Sequence, residues 1–335
     1  MKSDPLSDVF RAVRLTGAVF YHVDATSPWA AESPPGSTIG AQIMPNSQHL
    51  IPYHAVTRGG CWVGLLDAPP VRVNAGDIIA FPQGDPHVLS SAPGLRAEPA
   101  YHLYRRLSEE RLPFGFKTGD GGPEGAQLVC GFLGCDVRPF NPLLAVLPPV
   151  LHVGGQAVED GWLTQLFRAA VNESTGRRAG AETMVARLSE LMFVEVVRRH
   201  LESLPDEQTG WLAGLRDRFV SRALGCLHAR PAEPWTLEAL AKEVGLSRSA
   251  LMEHFTALVG QPPMQYLANW RMQLAAGRLG DGATVAEAAF DVGYGSEAAF
   301  SRAFKKLVGV APANWRKRRL SPSASTPSLK SRRTT

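Results

Sequence analysis

Two stretches near the C-terminus decide how this sequence folds: Glu238-Ala239-Leu240-Ala241-Lys242-Glu243-Val244-Gly245-Leu246 and Ala286-Glu287-Ala288-Ala289-Phe290-Asp291-Val292-Gly293-Tyr294. They are weak copies of each other, 48 residues apart from Val244 to Val292. Beyond the glycine turn the copies continue as Leu251, Phe255, Gly260, Pro263, Tyr266 and as Phe300, Phe304, Gly309, Pro312, Trp315, now 49 apart from Phe255 to Phe304. One residue has been added in the turn and the register resumes. Each copy reads as helix, tight glycine turn and second amphipathic helix. This is the pattern of a helix-turn-helix, whose second helix enters a DNA major groove. Two such units imply a chain that reads two grooves.

The capping chemistry supports the same elements. Thr236 and Thr284 stand where N-caps of the first helices belong, and Ser247 and Ser296 where those of the second helices belong. Gly245 and Gly293 supply the left-handed residue that such a turn needs, with Gly295 also in the second turn. Leu251, Phe255 and Leu258 are expected to face inward in one copy, and Phe300, Phe304 and Leu307 in the other. That leaves Arg248, Ser249, Met252 and Glu253 outside on the first unit, and Glu297, Ala298, Ser301, Arg302, Lys305 and Lys306 outside on the second.

Charge is unevenly placed. From residue 205 onward there are 18 Lys and Arg against 11 Asp and Glu, and before it 17 against 20, within a total of +4 over 335 residues. The basic half holds the repeat, as a polyanionic partner requires, although much of the excess lies in Arg316-Lys317-Arg318-Arg319 and the tail. No apolar run reaches the 18 or more residues of a membrane helix, and Met1 to Phe10 lacks the apolar core of a signal peptide. The expectation is a cytoplasmic protein with no membrane partner, whose four cysteines stay reduced.

Ahead of the repeat, residues 1–152 carry short apolar or alternating runs broken by Pro and Gly: Ile39–Met44, Cys61–Leu66, Val71–Val73, Ile78–Phe81 and Gln127–Phe132. These predict a β domain, sandwich or barrel, with one short helix near Asp8–Leu15 and a long loop over residues 97–125. Residues 153–207 predict a helical segment, with helical apolar spacing over Trp162–Val171 and Glu182–Leu204. The wide apolar face of the second run suits either core packing or a dimer contact. Residues 204–210 read as a hinge, Trp211–His228 as one amphipathic helix, and residues 320–335 as a disordered basic tail. The fold class is multidomain α+β, ending in an all-α domain with two helix-turn-helix modules over residues 208–319.

The run Gly293-Tyr294-Gly295-Ser296-Glu297-Ala298-Ala299-Phe300-Ser301-Arg302-Ala303-Phe304-Lys305-Lys306, followed by Gly309, Pro312 and Arg316, resembles the signature of AraC/XylS-type transcription regulators. Trp270-Arg271-Met272 and Ala275 fit that family's long helix joining the two modules, so the resemblance spans residues 208–319. It implies that both second helices enter successive major grooves of double-stranded promoter DNA, with RNA polymerase a partner if the protein activates. On that footing Ser249, Met252 and Glu253 face bases in one groove, and Glu297, Ala298, Ser301 and Arg302 in the next. Arg302 is the expected direct reader, because Arg bonds guanine bidentately. Lys305, Lys306 and Arg248 are expected at phosphates, which position without specifying. Glu253 stands where relatives often carry a basic residue, so the first helix is expected to read weakly.

A second resemblance lies upstream. Gly76-Asp77-Ile78-Ile79-Ala80-Phe81-Pro82-Gln83-Gly84-Asp85-Pro86-His87 resembles the second motif of the cupin β-barrel. It implies a hairpin turn at Pro82–Gly84, with His87 opening the returning strand and pointing inward. His54 and the Gly59-Gly60-Cys61-Trp62 turn sit where the first motif belongs, but the usual two His and a Glu are mostly missing. That departure argues against a metal-dependent dioxygenase. The resemblance implies a cupin-like sensor domain joined to the regulator, and Cys130-Gly131-Phe132, Pro142-Leu143-Leu144 and Leu147-Pro148-Pro149 fit that subgroup.

Two readings stand for the His and Cys residues. His54, His87, Cys130 and Cys135 are ligands suited to zinc, and His54, Cys61 and His87 are candidates to touch an effector. Alternatively the thiols are small buried apolar groups and the imidazoles are packed. Cys130 and Cys135 reach one ion if residues 131–134 turn back, whereas a straight strand puts the thiols on opposite faces. No cofactor is required. The expected protein is a homodimeric regulator, not an enzyme, that senses a small molecule, metal or redox signal. The alternative is a cupin-fold metal-dependent enzyme with an accessory DNA-binding module.

Overall fold

The computed structural model describes residues 4–99, 101–104, 114–122, 125–154, 162–175, 178–205 and 207–320. The expected tail, 321–335, lies outside them. Among the described residues, ten strands form two facing sheets. The larger has the order β10-β6-β3-β9-β1-β8, from β1 (Thr16–Thr26), β3 (His49–Arg58), β6 (Ile78–Ala80), β8 (Phe114–Gly119), β9 (Gly125–Cys135) and β10 (Leu151–Val153). The smaller has the order β2-β7-β4-β5, from β2 (Ala30–Ser33), β4 (Gly60–Leu65), β5 (Val71–Asn74) and β7 (His87–Ser90). Period-two alternation sorts the larger sheet's side chains. Val56, Ile79 and Leu128 turn inward to meet Cys61, Val63, Val73 and Leu89 of the smaller sheet. Ile51, Tyr53, Ala55 and Leu133 turn outward beneath helices.

Several expectations are corrected. Ile39–Met44 is not a strand: α2 (Gly36–Ile43) buries Ile39 and Ile43, four residues apart on one helical face. The expected loop over 97–125 contains a short 3₁₀ turn at Tyr101–Tyr104 and strand β8, which pairs in parallel with β1. Pro82–Gly84 is not a hairpin turn. It carries the chain from β6 in one sheet to β7 in the other, so it forms a corner of the barrel.

The helical layer covers the outer face of the larger sheet. It includes α1 (Pro5–Ala12), α3 (Trp162–Thr175) and α4 (Ala181–Ser203). α4 lies so close to β1 that a Cβ on Gly17 would stand 2.4 Å from the Ala186 carbonyl oxygen. The hydroxyls of Tyr53 and Ser189 meet at 2.7 Å in this buried layer. Val185, Met192, Phe193, Val196 and Val197 of α4 pack in the core, while Met184 and Leu191 stay exposed, so one helix serves the core and leaves an apolar stripe outside.

Trp211–His228 forms two helices rather than one, α5 (Trp211–Arg216) and α6 (Arg218–Ala229). Asp217 divides them because its carboxylate caps α6, accepting from the Phe219 and Val220 amides. Then come α7 (Leu237–Val244), α8 (Arg248–Val259), α9 (Pro263–Gly280), α10 (Val285–Asp291), α11 (Glu297–Val308) and α12 (Pro312–Leu320). The core is continuous between the two halves. Gln273 of α9, 1% exposed, donates to the Ala12 carbonyl and accepts from the Phe140 amide. Arg14 reaches the Gly277 carbonyl at 2.7 Å and Asp281 at 2.6 Å.

Candidate nucleic-acid interface and barrel pocket

Each half of the repeat is a helix-turn-helix. Thr236, Ser247, Thr284 and Ser296 each cap the expected helix through a side-chain oxygen, and Thr284 completes a capping box with Glu287. Gly245 and Gly293 take φ of 83° and 85°, closing the turns as expected. Gly295 is not among the positive-φ glycines. Phe255 and Phe304 are fully buried. Leu307, expected inside, is 38% exposed, because Phe300, Phe304 and Val308 occupy the inward positions one turn apart. Leu258 is half-buried.

The two modules are joined by α9, which packs into both. Its Tyr266, Leu267 and Trp270 enter the core of the first module, and its Met272, Ala275, Ala276 and Leu279 that of the second. Arg271 adds a second tie, donating to the Pro231 and Glu233 carbonyls at 2.7 Å and lying over the Tyr294 ring. Sequence reasoning missed this role for Arg271. Its signal was an arginine in an otherwise inward stretch of α9.

On the exposed faces, α11 offers Glu297, Ala298, Arg302, Lys305 and Lys306, with Ser301 half-buried. Among the described residues no ion pair engages Arg302, Lys305 or Lys306, so these cations are available to an anionic partner. α8 offers Arg248, Ser249, Met252 and Glu253. Arg248 already pairs with Glu238 at 3.1 Å, an exposed pair that a phosphate competes with readily. The α8 face is therefore less cationic than the α11 face.

The barrel interior brings His54 and His87 together. Their Nε2 atoms are 2.7 Å apart, and Phe81 stacks flat on His87 at 3.7 Å. Burial holds both imidazoles neutral, His87 pushed down to about 4 and His54 well below its ordinary value, with the neighbouring His87 adding to the effect on His54. Cys130 sits opposite His54 on the adjacent strand, and both border a small cavity of about 70 Å³. Tyr21, Trp29, Tyr104 and Phe116 form its aromatic walls.

Cys135 does not join this group. β9 runs straight from Gly125 to Cys135, so the odd separation places Cys135 on the outer face under the helices. Cys61 and Cys130 both face the interior. Burial pushes the Cys61 and Cys135 thiols up to about 12 and raises Cys130 as well. Among the described residues no group of three or more His, Cys, Asp or Glu could hold a metal ion. The set expected for zinc thus does not fit a closed four-ligand site.

Comparison with known proteins agrees with both halves. A cupin family model matches residues 4–202, and a helix-turn-helix domain model matches residues 240–318. A putative AraC-like transcription regulator of Streptomyces lividans is 33% identical across 94% of this chain and 98% of its own length. One from Streptomyces antibioticus is also 33% identical, over the same shares of the two chains. The HTH-type transcriptional regulator AlkR of Acinetobacter baylyi is 27% identical over 93% of this chain and 99% of its own. The chain belongs to the AraC family of transcription regulators, in the group with an N-terminal cupin domain. It is a DNA-binding regulator with a cupin sensor domain, and its relatives are transcription regulators, not enzymes.

Proposed function

We propose that α8 and α11 enter successive major grooves on one face of promoter DNA and read them unequally, and that the cavity beside His54 receives a small-molecule effector. The observation that carries the first part is the contrast between the two faces fixed on α9. α11 presents Arg302, Lys305 and Lys306 without an ion pair among the described residues, whereas α8 presents Glu253 and an Arg248 already held by Glu238. Arg302 reads a base, with Glu297, Ala298 and Ser301 beside it, while Lys305, Lys306 and Arg248 bind phosphate. Ser249, Met252 and Glu253 form the weaker reading face.

The exposed Met184 and Leu191 on α4 support a homodimer contact through the helical segment. Contact with RNA polymerase follows only if the protein activates. Elemental analysis of the purified protein tests whether it carries zinc.

Arg302→Ala tests the reading directly. Fluorescence anisotropy on a specific and a random duplex is expected to show about 1–3 kcal/mol of lost discrimination, the worth of one bidentate base contact. Binding of both proteins should weaken as salt rises, because phosphate contacts release counterions. An equal loss on both duplexes reassigns Arg302 to phosphate.

A further inference from the structure

The imidazole pair in the barrel has a proton arrangement that the geometry dictates. His87 Nδ1 lies 2.9 Å from the Asp85 carbonyl oxygen. A carbonyl only accepts, so His87 Nδ1 carries the hydrogen. In a neutral ring His87 Nε2 is then a bare acceptor. His54 Nε2, 2.7 Å away, must donate to it. The neutral His54 ring therefore keeps its remaining lone pair on Nδ1. That atom is buried and has no hydrogen-bond partner among the described residues, in a residue only 7% exposed. A buried acceptor left unsatisfied is destabilising, and a ligand that supplies the missing hydrogen recovers that cost.

The cavity that His54 borders narrows the chemistry further. Its wall is largely aromatic and aliphatic, with Trp29, Leu89, Phe116 and Leu128 on it. Glu32 also lines it and accepts two hydrogen bonds from Arg96, at 3.0 and 2.9 Å. A bare nitrogen lone pair and a carboxylate both repel an anion. The volume of about 70 Å³ is roughly half the 150 Å³ of an apolar cavity that takes benzene. The ligand must be compact or gain room by movement of a wall side chain.

We infer that the barrel pocket takes a compact, uncharged, mostly apolar molecule bearing one O–H or N–H, an alcohol or a phenol, and that His54 Nδ1 selects it by accepting that hydrogen. This rests on the effector reading above and adds to it the ligand class and the selecting atom. His87 and the Asp85 carbonyl act as positioning groups: they fix the tautomer of His54 without touching the ligand.

The test uses full-length protein labelled with ¹⁵N at histidine and long-range ¹H–¹⁵N spectra, with His54→Phe assigning the resonance. The expected spectrum shows His54 protonated at Nε2 and bare at Nδ1. Adding 2-propanol or phenol should move the Nδ1 resonance, while their methyl ethers, 2-methoxypropane and anisole, should leave it in place. Trp29 lines the same cavity, so its fluorescence follows binding. The hydroxyl compound should bind at least about tenfold more tightly than its ether, and His54→Phe should bring the pair near parity. Protonation at His54 Nδ1, equal responses to alcohols and ethers, silence to both, or ¹⁵N shifts showing zinc on both Nε2 atoms would each overturn the proposal. DNA binding measured on the same preparation separates the outcomes. Retained promoter binding confines the failure to the pocket chemistry, and lost binding in the unmodified protein defeats the regulator reading itself.

Discussion

Replacing Gly293 by alanine is expected to unfold the second helix-turn-helix, while the same change at Gly245 is expected to be tolerated. Both glycines turn with positive φ, at 85° and 83°, and either alanine suffers the left-handed penalty of about 1–2 kcal/mol. Their surroundings differ. A Cβ on Gly245 meets nothing within 4 Å, whereas one on Gly293 would lie 2.3 Å from the Ala232 carbonyl oxygen and 2.7 Å from its Cα. These are backbone atoms of the loop between α6 and α7, and they cannot swing aside. The expected cost at Gly293 exceeds about 4 kcal/mol, the range of exceptional single substitutions. Chemical denaturation of both variants measures the contrast, and equal small losses would show that the loop does not abut this turn.

The second large effect is acid sensitivity of the barrel. His87 in the folded protein is pushed down to about 4 by burial, against the ordinary 6.5 of the unfolded chain. Above pH 6.5 both states are neutral and the stability is complete. As pH falls from 6.5 towards 4, the unfolded chain takes up a proton that the folded chain refuses, so stability is lost across that window. The loss from His87 alone is about 2 kcal/mol by pH 5 and about 3 kcal/mol by pH 4. His54 is displaced in the same direction, as is the buried His228 of α6, where Asp8 opposes the effect of burial. Urea unfolding at pH 7 and pH 5, followed by near-UV circular dichroism, should show this decline. Equal stability at the two values would mean that the imidazoles are charged or solvated in the fold.

What was legible in the sequence was local. Caps, turn glycines and buried phenylalanines recur at fixed short spacings, so Ser296, Gly293, Phe300 and Phe304 announce their helices without help from the rest of the chain. Leu307 was misplaced because two neighbouring apolar positions near a helix end compete for one face, and only tertiary packing against the second module's core selects Val308. The barrel was harder to read. β1 finds its partners β8 and β9 about a hundred residues away, and nothing local in Thr16–Thr26 records them. Ile39 and Ile43 gave an apolar run that suited a strand until the four-residue period of the helix told otherwise. The separation of Cys130 from Cys135 held its answer in the parity of five, but only a continuous strand makes parity decisive. His54 and His87, 33 residues apart, were named singly from motif positions. Their direct contact is tertiary information.

α9 holds two unlike helices, α8 and α11, in one framework, so the protein is expected to read two grooves at one spacing and with unequal strength. Selection of bound sites from a random duplex library with the full-length protein tests it most directly. Enriched sites are expected to carry two boxes centred about 10–10.5 base pairs apart at constant spacing. Changes in the box facing Arg302 should cost about 1–3 kcal/mol each, and changes in the other box less. A single box, two boxes at variable spacing, or no enrichment would contradict it.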